Sequence, residues 1–379
     1  MIRYCKNRRE AEGIAVASYY IWKEMEFMGV RLGIVGTNFI SDWLLEAAVQ
    51  VPEVEVCSVY SRKQETGATF AGKHQIPRVY TEYESFLKSE LDAVYIATPM
   101  YVHCRQTIEA LKQGKHVLCE KILAVNEREV QQMIACGKKN QRVLLEAMRP
   151  DFVPVMEQLK EILPKIGKLR RVTIEYDQYS SRYDSFRKGE LQNAFNPALS
   201  NAAIMDIGVY CVHSIVRLFG APMEVKSCCV KLHNGFEANG IVLMQYEDFL
   251  AEAVYSKIGN SIHPSVFEGE EGTITLDSIS VPKQLKICYR DGRTEQLYTD
   301  SQKECSLFGE DSTKKRRTAG APHKAIVESM VFEVRKFAQL VKENRVEHPY
   351  LTYSLDTIRV VDAVRKQNGI VFDADSVVY

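Results

Sequence analysis

Short apolar runs alternate with segments of helical period through the first 150 residues. Residues 30–36, 54–60, 93–97, 116–119 and 143–146 are dominated by apolar side chains over four to seven positions. Runs of that length without strict alternation suit strands buried on both faces. Between them, residues 41–51, 103–113 and 126–140 carry apolar positions at helical spacing. Strand–helix alternation of this kind predicts a parallel, doubly wound sheet. Gly114 and Gly137 are expected to end helices.

Beyond Pro150 the pattern changes. A helix over 153–163 leads to a strand over 169–176 and an irregular polar stretch over 177–201. A helix over 205–219 precedes strands at 224–231, 241–246, 250–257, 272–276 and 285–289, and helices over 323–343 and 354–367 close the chain. Consecutive strands with short turns predict a mostly antiparallel sheet. The expectation is an α/β chain: an extension over 1–28, a doubly wound domain over 29–150, and an α+β substrate and oligomerisation domain over 151–379.

Length supports two domains, since 379 residues exceed one typical core. Lys and Arg number 49 against 49 Asp and Glu, so no global field favours nucleic acid or an anionic membrane. A small-molecule substrate is the expectation. The ten cysteines contain no Cys-x-x-Cys pair and read as reduced thiols of a cytoplasmic protein. The eight histidines lack ligand spacing, so no metal site is expected. The basic run at 314–317 reads as a solvated loop. Arg8 and Arg9 precede an apolar stretch of ten residues, too short for a span of about 20. Residues 1–28 therefore read as a loosely ordered extension, or as sequence before a natural start at Met28.

The first strand–helix turn reads Gly33-Ile-Val-Gly36-Thr37-Asn38-Phe39-Ile40-Ser41. Against a Gly-x-Gly-x-x-Gly fingerprint, Gly36 takes the tight turn, Asn38 the close approach to a pyrophosphate and Ser41 the helix-packing position. Asn tolerates positive φ, and the helix start at Phe39 and Ile40 offers amides to phosphate. Taken alone, the motif equally fits a plain strand–turn–helix. The second strand ends at Ser61-Arg62, where Arg suits the 2′-phosphate of NADP(H) and an acid would suit NAD(H). This predicts NADP(H) as the preferred cofactor, with NAD(H) possible. The alternative is that Arg62 and Lys63 open a solvated helix.

Three further segments carry a family resemblance. Thr98-Pro99 and His103 follow one strand, Glu120-Lys121 follow the next, and Asp206-x-Gly208-x-Tyr210 lies in the helix over 205–219. Together they resemble the Gfo/Idh/MocA oxidoreductases, named for glucose–fructose oxidoreductase and inositol dehydrogenase. The resemblance implies an N-terminal Rossmann domain with Lys121 beside the nicotinamide. Ile122 stands where the family has proline, implying a less rigid loop. Thr98, Pro99 and His103 are implied to pack along the nicotinamide ribose, although His103 also reads as a helix-start residue with a satisfied ring. Glu120 either binds ribose hydroxyls or pairs with a base. Arg149 either lines the substrate crevice or closes the domain junction.

Asp206, Tyr210, His213 and Arg217 fall at i, i+4, i+7 and i+11 and share one helix face. By resemblance Asp206 and Tyr210 face the nicotinamide and substrate; His213 and Arg217 read as packing and ion-pair residues. Gly208 in a helix interior suits close approach to a ligand. Residues 200–203 replace the family's glycine run. Hydride transfer at a carbinol carbon requires the hydroxyl proton to move, and a group near neutrality does this best. Lys121 would then need its value lowered by about 3 units from about 10.4. Lys121 and Tyr210 both remain candidates for the proton carrier. The resemblance implies an NAD(P)-dependent dehydrogenase of a sugar, polyol or dihydrodiol, acting as a homodimer through its open sheet. A non-catalytic NAD(P)-binding regulator and an NAD-dependent glycosidase are the alternatives.

Overall fold

The structure is a computed structural model that describes residues 29–298 and 323–376. The extension over 1–28 and the basic run at 314–317 lie outside the described residues. Strands β1 (Val30–Val35), β2 (Val54–Tyr60), β3 (Arg78–Tyr80), β4 (Ala93–Ile96), β5 (His116–Glu120) and β6 (Leu144–Ala147) form one sheet in the order β3-β2-β1-β4-β5-β6. Every pairing is parallel. The doubly wound expectation is met, and strand order reverses between β1 and β4. In such sheets ligands bind outside the C-terminal strand ends at that reversal.

Helices α1 (Phe39–Ala48), α2 (Gln64–His74), α3 (Tyr83–Leu87), α4 (His103–Lys112) and α5 (Glu127–Asn140) fill the crossovers. Sequence periodicity missed α2, because Gly67, Phe70 and Ala71 are its buried residues and two glycines interrupt its pattern. Gly114 does follow the end of α4 with φ +74°. Gly137 instead lies inside α5, which ends at left-handed Gln141. A Cβ at Gly137 would sit 3.1 Å from the Arg142 carbonyl oxygen, so tight return of the chain explains that glycine.

The second sheet contains β7 (Leu169–Asp177), β8 (Glu224–Lys231), β9 (Glu237–Gln245), β10 (Leu250–Ser256), β11 (Ser265–Gly269), β12 (Gly272–Leu276), β13 (Gln284–Tyr289) and β14 (Thr294–Tyr298). Its order is β14-β13-β12-β11-β7-β10-β9-β8, antiparallel except where β10 meets β7. Alternation sorts the faces. Val172, Ile174, Val242, Met244, Ala251 and Ala253 are fully buried on one side. Ile241, Leu243 and Leu250 emerge on the other, 41%, 47% and 56% exposed.

The connection from β6 runs through α6 (Pro154–Ile162); α7 (Tyr183–Arg187) breaks the irregular stretch. A π-turn at Ile204–Gly208 then runs into α8 (Val209–Phe219), which packs on β7 and β10. The segment Pro197–Phe219 is long and apolar enough to cross a membrane, but 83% of its most apolar 18-residue window is buried inside the fold. Helix α9 (His323–Lys342) returns to the first sheet, where Val327, Met330, Val334 and Phe337 share a core with Leu32 and Leu44. Helix α10 (Pro349–Gln367) packs on α8 and α5. Cys57, Cys104, Cys119, Cys136, Cys211, Cys228, Cys229 and Cys288 are free thiols.

Candidate active site

At the β1–α1 turn Gly36 has φ +107°, and a Cβ there would lie 2.6 Å from the Ala97 carbonyl oxygen. Glycine is therefore required both by conformation and by space. Asn38 does not use a positive φ: it is extended at −96° and caps α1. Its Oδ1 accepts from the amides of Ile40 at 2.9 Å and Ser41 at 3.4 Å, while Nδ2 donates to Ala97 O at 2.7 Å. This side chain thus ties the turn to the end of β4. Ser41 is buried and its hydroxyl donates to Gly36 O at 3.0 Å, as a helix-packing position requires. Phe39 is exposed at the helix start.

After β2, Ser61 is buried and its hydroxyl turns back to donate to Lys63 O at 3.1 Å. Arg62 is exposed beside it, with no carboxylate before Glu65. His103 is buried, its Nε2 2.8 Å from Thr98 O and its Nδ1 3.1 Å from Ile122 O. Burial lowers its pKa despite those two carbonyls. His103 therefore clasps the loop after β4 to the loop after β5. Thr98 donates its hydroxyl to Gln106 Oε1 at 2.6 Å, and Pro99 leads into the turn before α4.

Lys121 follows β5, and the Lys121–Ile122 peptide bond is cis. Its ammonium donates to Asp206 Oδ1 at 2.8 Å and to the Asp206 carbonyl at 2.5 Å. It also lies 5.0 Å from the Tyr210 ring centroid. Arg149, just past β6, donates from Nη2 to the Tyr210 hydroxyl at 2.9 Å. Sequence-distant Lys121, Arg149, Asp206 and Tyr210 thus converge at the C-terminal ends of β5 and β6. Asp206 sits in the π-turn, a rare backbone form that recurs at functional sites.

The electrostatics depart from expectation at Lys121. Burial works to lower its pKa, but the charge and hydrogen bond of Asp206 outweigh that, and the value is raised. The expected fall gave Asp206 only an opposing part, whereas its carboxylate contacts the ammonium directly and reverses the shift. Burial likewise works to raise Asp206, yet Lys121 and Lys257 hold it far below the carboxylate range. Burial pushes Glu120 up; it accepts the Tyr95 hydroxyl at 2.5 Å.

Lys257 is the residue that sequence reading missed. It follows β10 and donates to Asp206 Oδ2 at 2.7 Å. As the last residue of an apolar run it carried no motif. Gly208 also has a different cause from the one expected: a Cβ there would meet the Tyr255 ring at 2.8 Å, so the glycine packs on β10. His213 and Arg217 are, as read, packing and ion-pair residues. His213 Nε2 lies 2.8 Å from Asp151 Oδ2, and Arg217 Nε lies 3.1 Å from Asp151 Oδ1. Among the described residues no three His, Cys, Asp or Glu side chains gather as metal ligands.

Comparison with known proteins agrees with this layout. The oxidoreductase family model with an NAD-binding Rossmann fold matches residues 30–148, and the GFO/IDH/MocA C-terminal domain matches 156–275. The chain belongs to the Gfo/Idh/MocA oxidoreductase family. It is an NAD(P)-dependent enzyme of the dehydrogenase type. It is 40% identical over 349 residues to scyllo-inositol 2-dehydrogenase (NADP(+)) IolU of Bacillus subtilis, covering 91% of this chain and 99% of that one. It is 26% identical to trans-1,2-dihydrobenzene-1,2-diol dehydrogenase of Sus scrofa, covering 92% and 99%. Among solved structures, levoglucosan dehydrogenase in complex with NADH and levoglucosan aligns with a TM-score of 0.76 at 17% identity, covering 90% of this chain and 97% of that one. The 3-ketoreductase KijD10 of Actinomadura kijaniata, with NADP and TDP-benzene, aligns at 0.74 and 21% identity, covering 90% and 98%. At those identities the two structures show that the fold is shared.

Proposed function

We propose that this chain is an NADP(H)-preferring dehydrogenase of a cyclic polyol or dihydrodiol. The observation that carries the reading is the convergence of Lys121, Asp206, Tyr210 and Arg149 at the same C-terminal edge of the parallel sheet as the glycine turn at Gly36. The relative at 40% identity is named for scyllo-inositol and NADP(+), and a cyclic polyol suits so polar a cluster.

The residues present fit a dinucleotide: a left-handed glycine turn at Gly36 that carries β1 into the N-terminus of α1, and an exposed arginine beyond β2. Gly36, Asn38, Phe39, Ile40, Ser61, Arg62, Thr98, Pro99 and Glu120 would hold it, with His103 bracing their loops. When bound, the nicotinamide supplies or accepts the hydride. Lys121 stays an ammonium and donates to the reacting oxygen, stabilising negative charge there. Asp206 orients that ammonium. Tyr210 accepts a hydrogen bond from Arg149, so its own proton is directed to a different acceptor. Tyr210 therefore gives its proton to the substrate oxygen during reduction and takes one back during oxidation. Lys121, Arg149, Asp206 and Tyr210 together line the substrate side.

Residues 29–150 and 151–379 serve as cofactor and substrate units, with α9 bracing the first. A homodimer through the outer face of the large sheet would cover Ile241, Leu243 and Leu250. Free thiols accord with a cytoplasmic setting. The test is a nicotinamide-fluorescence titration of the full chain with NADPH and NADH, followed by NADP-linked oxidation of inositol isomers and trans-dihydrodiols. Tighter NADPH binding and turnover of a cyclic diol are expected. Binding of neither nucleotide would overturn the reading.

A further inference from the structure

We propose that Lys257 is a positioning residue that shares the Asp206 carboxylate with Lys121 and pins the segment at Ala194 and Phe195 over it. The inference rests on the function proposed above and deepens it.

The main chain of Lys257 is fixed on two sides. Its amide donates to Ala238 O at 2.9 Å, and its carbonyl accepts from Ser180 N at 2.9 Å. Its ammonium donates to Asp206 Oδ2 at 2.7 Å and to the Ala194 carbonyl at 3.1 Å. It also lies 5.1 Å from the Phe195 ring centroid and 5.4 Å from that of Phe236. The side chain is only 6% exposed. Two of three ammonium donors are thus committed and aromatic faces cover the rest, a setting in which the cation is poorly screened. Phe186, Phe195 and Phe236 form a separate small cluster. Lys257 is what connects that cluster to the catalytic carboxylate.

One carboxylate between two ammonium groups holds each less firmly than it would hold one alone. Asp206 grips Lys121 through Oδ1 while Lys257 sits on Oδ2, so Lys257 opposes retention of the Lys121 proton. The other groups facing this pair are Glu120 beside Lys121, His103 at the start of α4, Tyr176 on β7, Tyr210 on α8, Arg149 after β6, and Glu237 on β9 near Lys257. None of them contacts Asp206 Oδ2. Two ammonium groups on the two oxygens of one carboxylate lie roughly 6 Å apart, and at an effective dielectric near 20 removing one shifts the other by roughly 1–2 pH units.

The test measures Lys121 itself. Wild type, Lys257→Met and Lys257→Arg are acetylated with an amine-reactive ester at pH 9, and labelling of Lys121 is compared with that of exposed Lys324 in the same molecules. Well below the pKa, rate follows the neutral fraction. Lys257→Met is expected to label Lys121 roughly 10- to 100-fold more slowly, and Lys257→Arg to stay within a few-fold of wild type. NADPH affinity should hold while kcat falls in Lys257→Met. If that variant does not fold, Lys257→Gln carries the same comparison. Labelling of Lys121 as fast as wild type without the Lys257 cation would overturn the proposal. Absence of polyol turnover by wild type would sink the function instead, and leaves the labelling result to decide the role of Lys257.

Discussion

Arg149 donates to the hydroxyl of Tyr210 over 2.9 Å, joining the loop after β6 to the first turn of α8. The contact ties the end of the parallel sheet to the helix that packs on the second sheet. It also decides what the phenol can do, because a hydroxyl that accepts from a guanidinium keeps its single proton for another partner. Replacing Arg149 by Met removes a charge-assisted bond worth roughly 1.5–3 kcal/mol. Steady-state kinetics should show kcat/KM lower by about 10- to 150-fold with NADPH affinity kept. Unchanged kinetics would remove Arg149 from the site.

Lys121 and Tyr210 are separable by experiment. Lys121→Met should lower turnover by about 10²–10⁴ with nearly unchanged NADPH binding. Tyr210→Phe should give a loss of similar size and abolish the proton-transfer limb of the pH–rate profile, whereas Lys121→Met should keep that limb. If the limb disappears in Lys121→Met and survives in Tyr210→Phe, lysine is the proton carrier.

Much of this was legible because local pattern and tertiary role coincided. Strand runs at β1, β4 and β5 are apolar throughout since both faces are covered, and the Glu-Lys and Asp-x-Gly-x-Tyr motifs are contiguous. What stayed hidden depends on chain segments far apart in sequence. Lys257 acquires its role only because β10 ends beside the π-turn. The charge state of Lys121 turns on a carboxylate 85 positions away. Asn38 looked like a stand-in for glycine's freedom, but it is a helix cap bonded to Ala97. Gly208 looked ligand-facing, and it is the ring of Tyr255 that needs the space.

Arg62 bears on cofactor choice alone. It is exposed beyond β2, where a 2′-phosphate would meet it. Arg62→Ala should weaken NADPH by roughly 10- to 150-fold, the range of a charge-assisted bond, with NADH little changed. Fluorescence titrations of both nucleotides check this, and an equal loss for the two would reassign Arg62 to a general structural role.

Glu237 gives a pH dependence with a definite sign. It is buried on β9, its Oε2 accepting from the Ile204 amide at 2.8 Å at the start of the π-turn. Burial raises its pKa from 4.5 to about 7, with the hydrogen bonds opposing. Between those values the folded chain holds a proton that the unfolded chain has released. Its contribution is therefore most favourable below 4.5, declines as pH rises, and levels off above about 7. The decline amounts to roughly 3 kcal/mol at about 1.4 kcal/mol per unit. Glu237→Gln removes the titration and keeps an acceptor for Ile204. Melting temperatures of both proteins at pH 5 and pH 7.5 should show the variant gaining on wild type as pH rises. A difference that stays constant between the two pH values would mean that Glu237 does not titrate in this window.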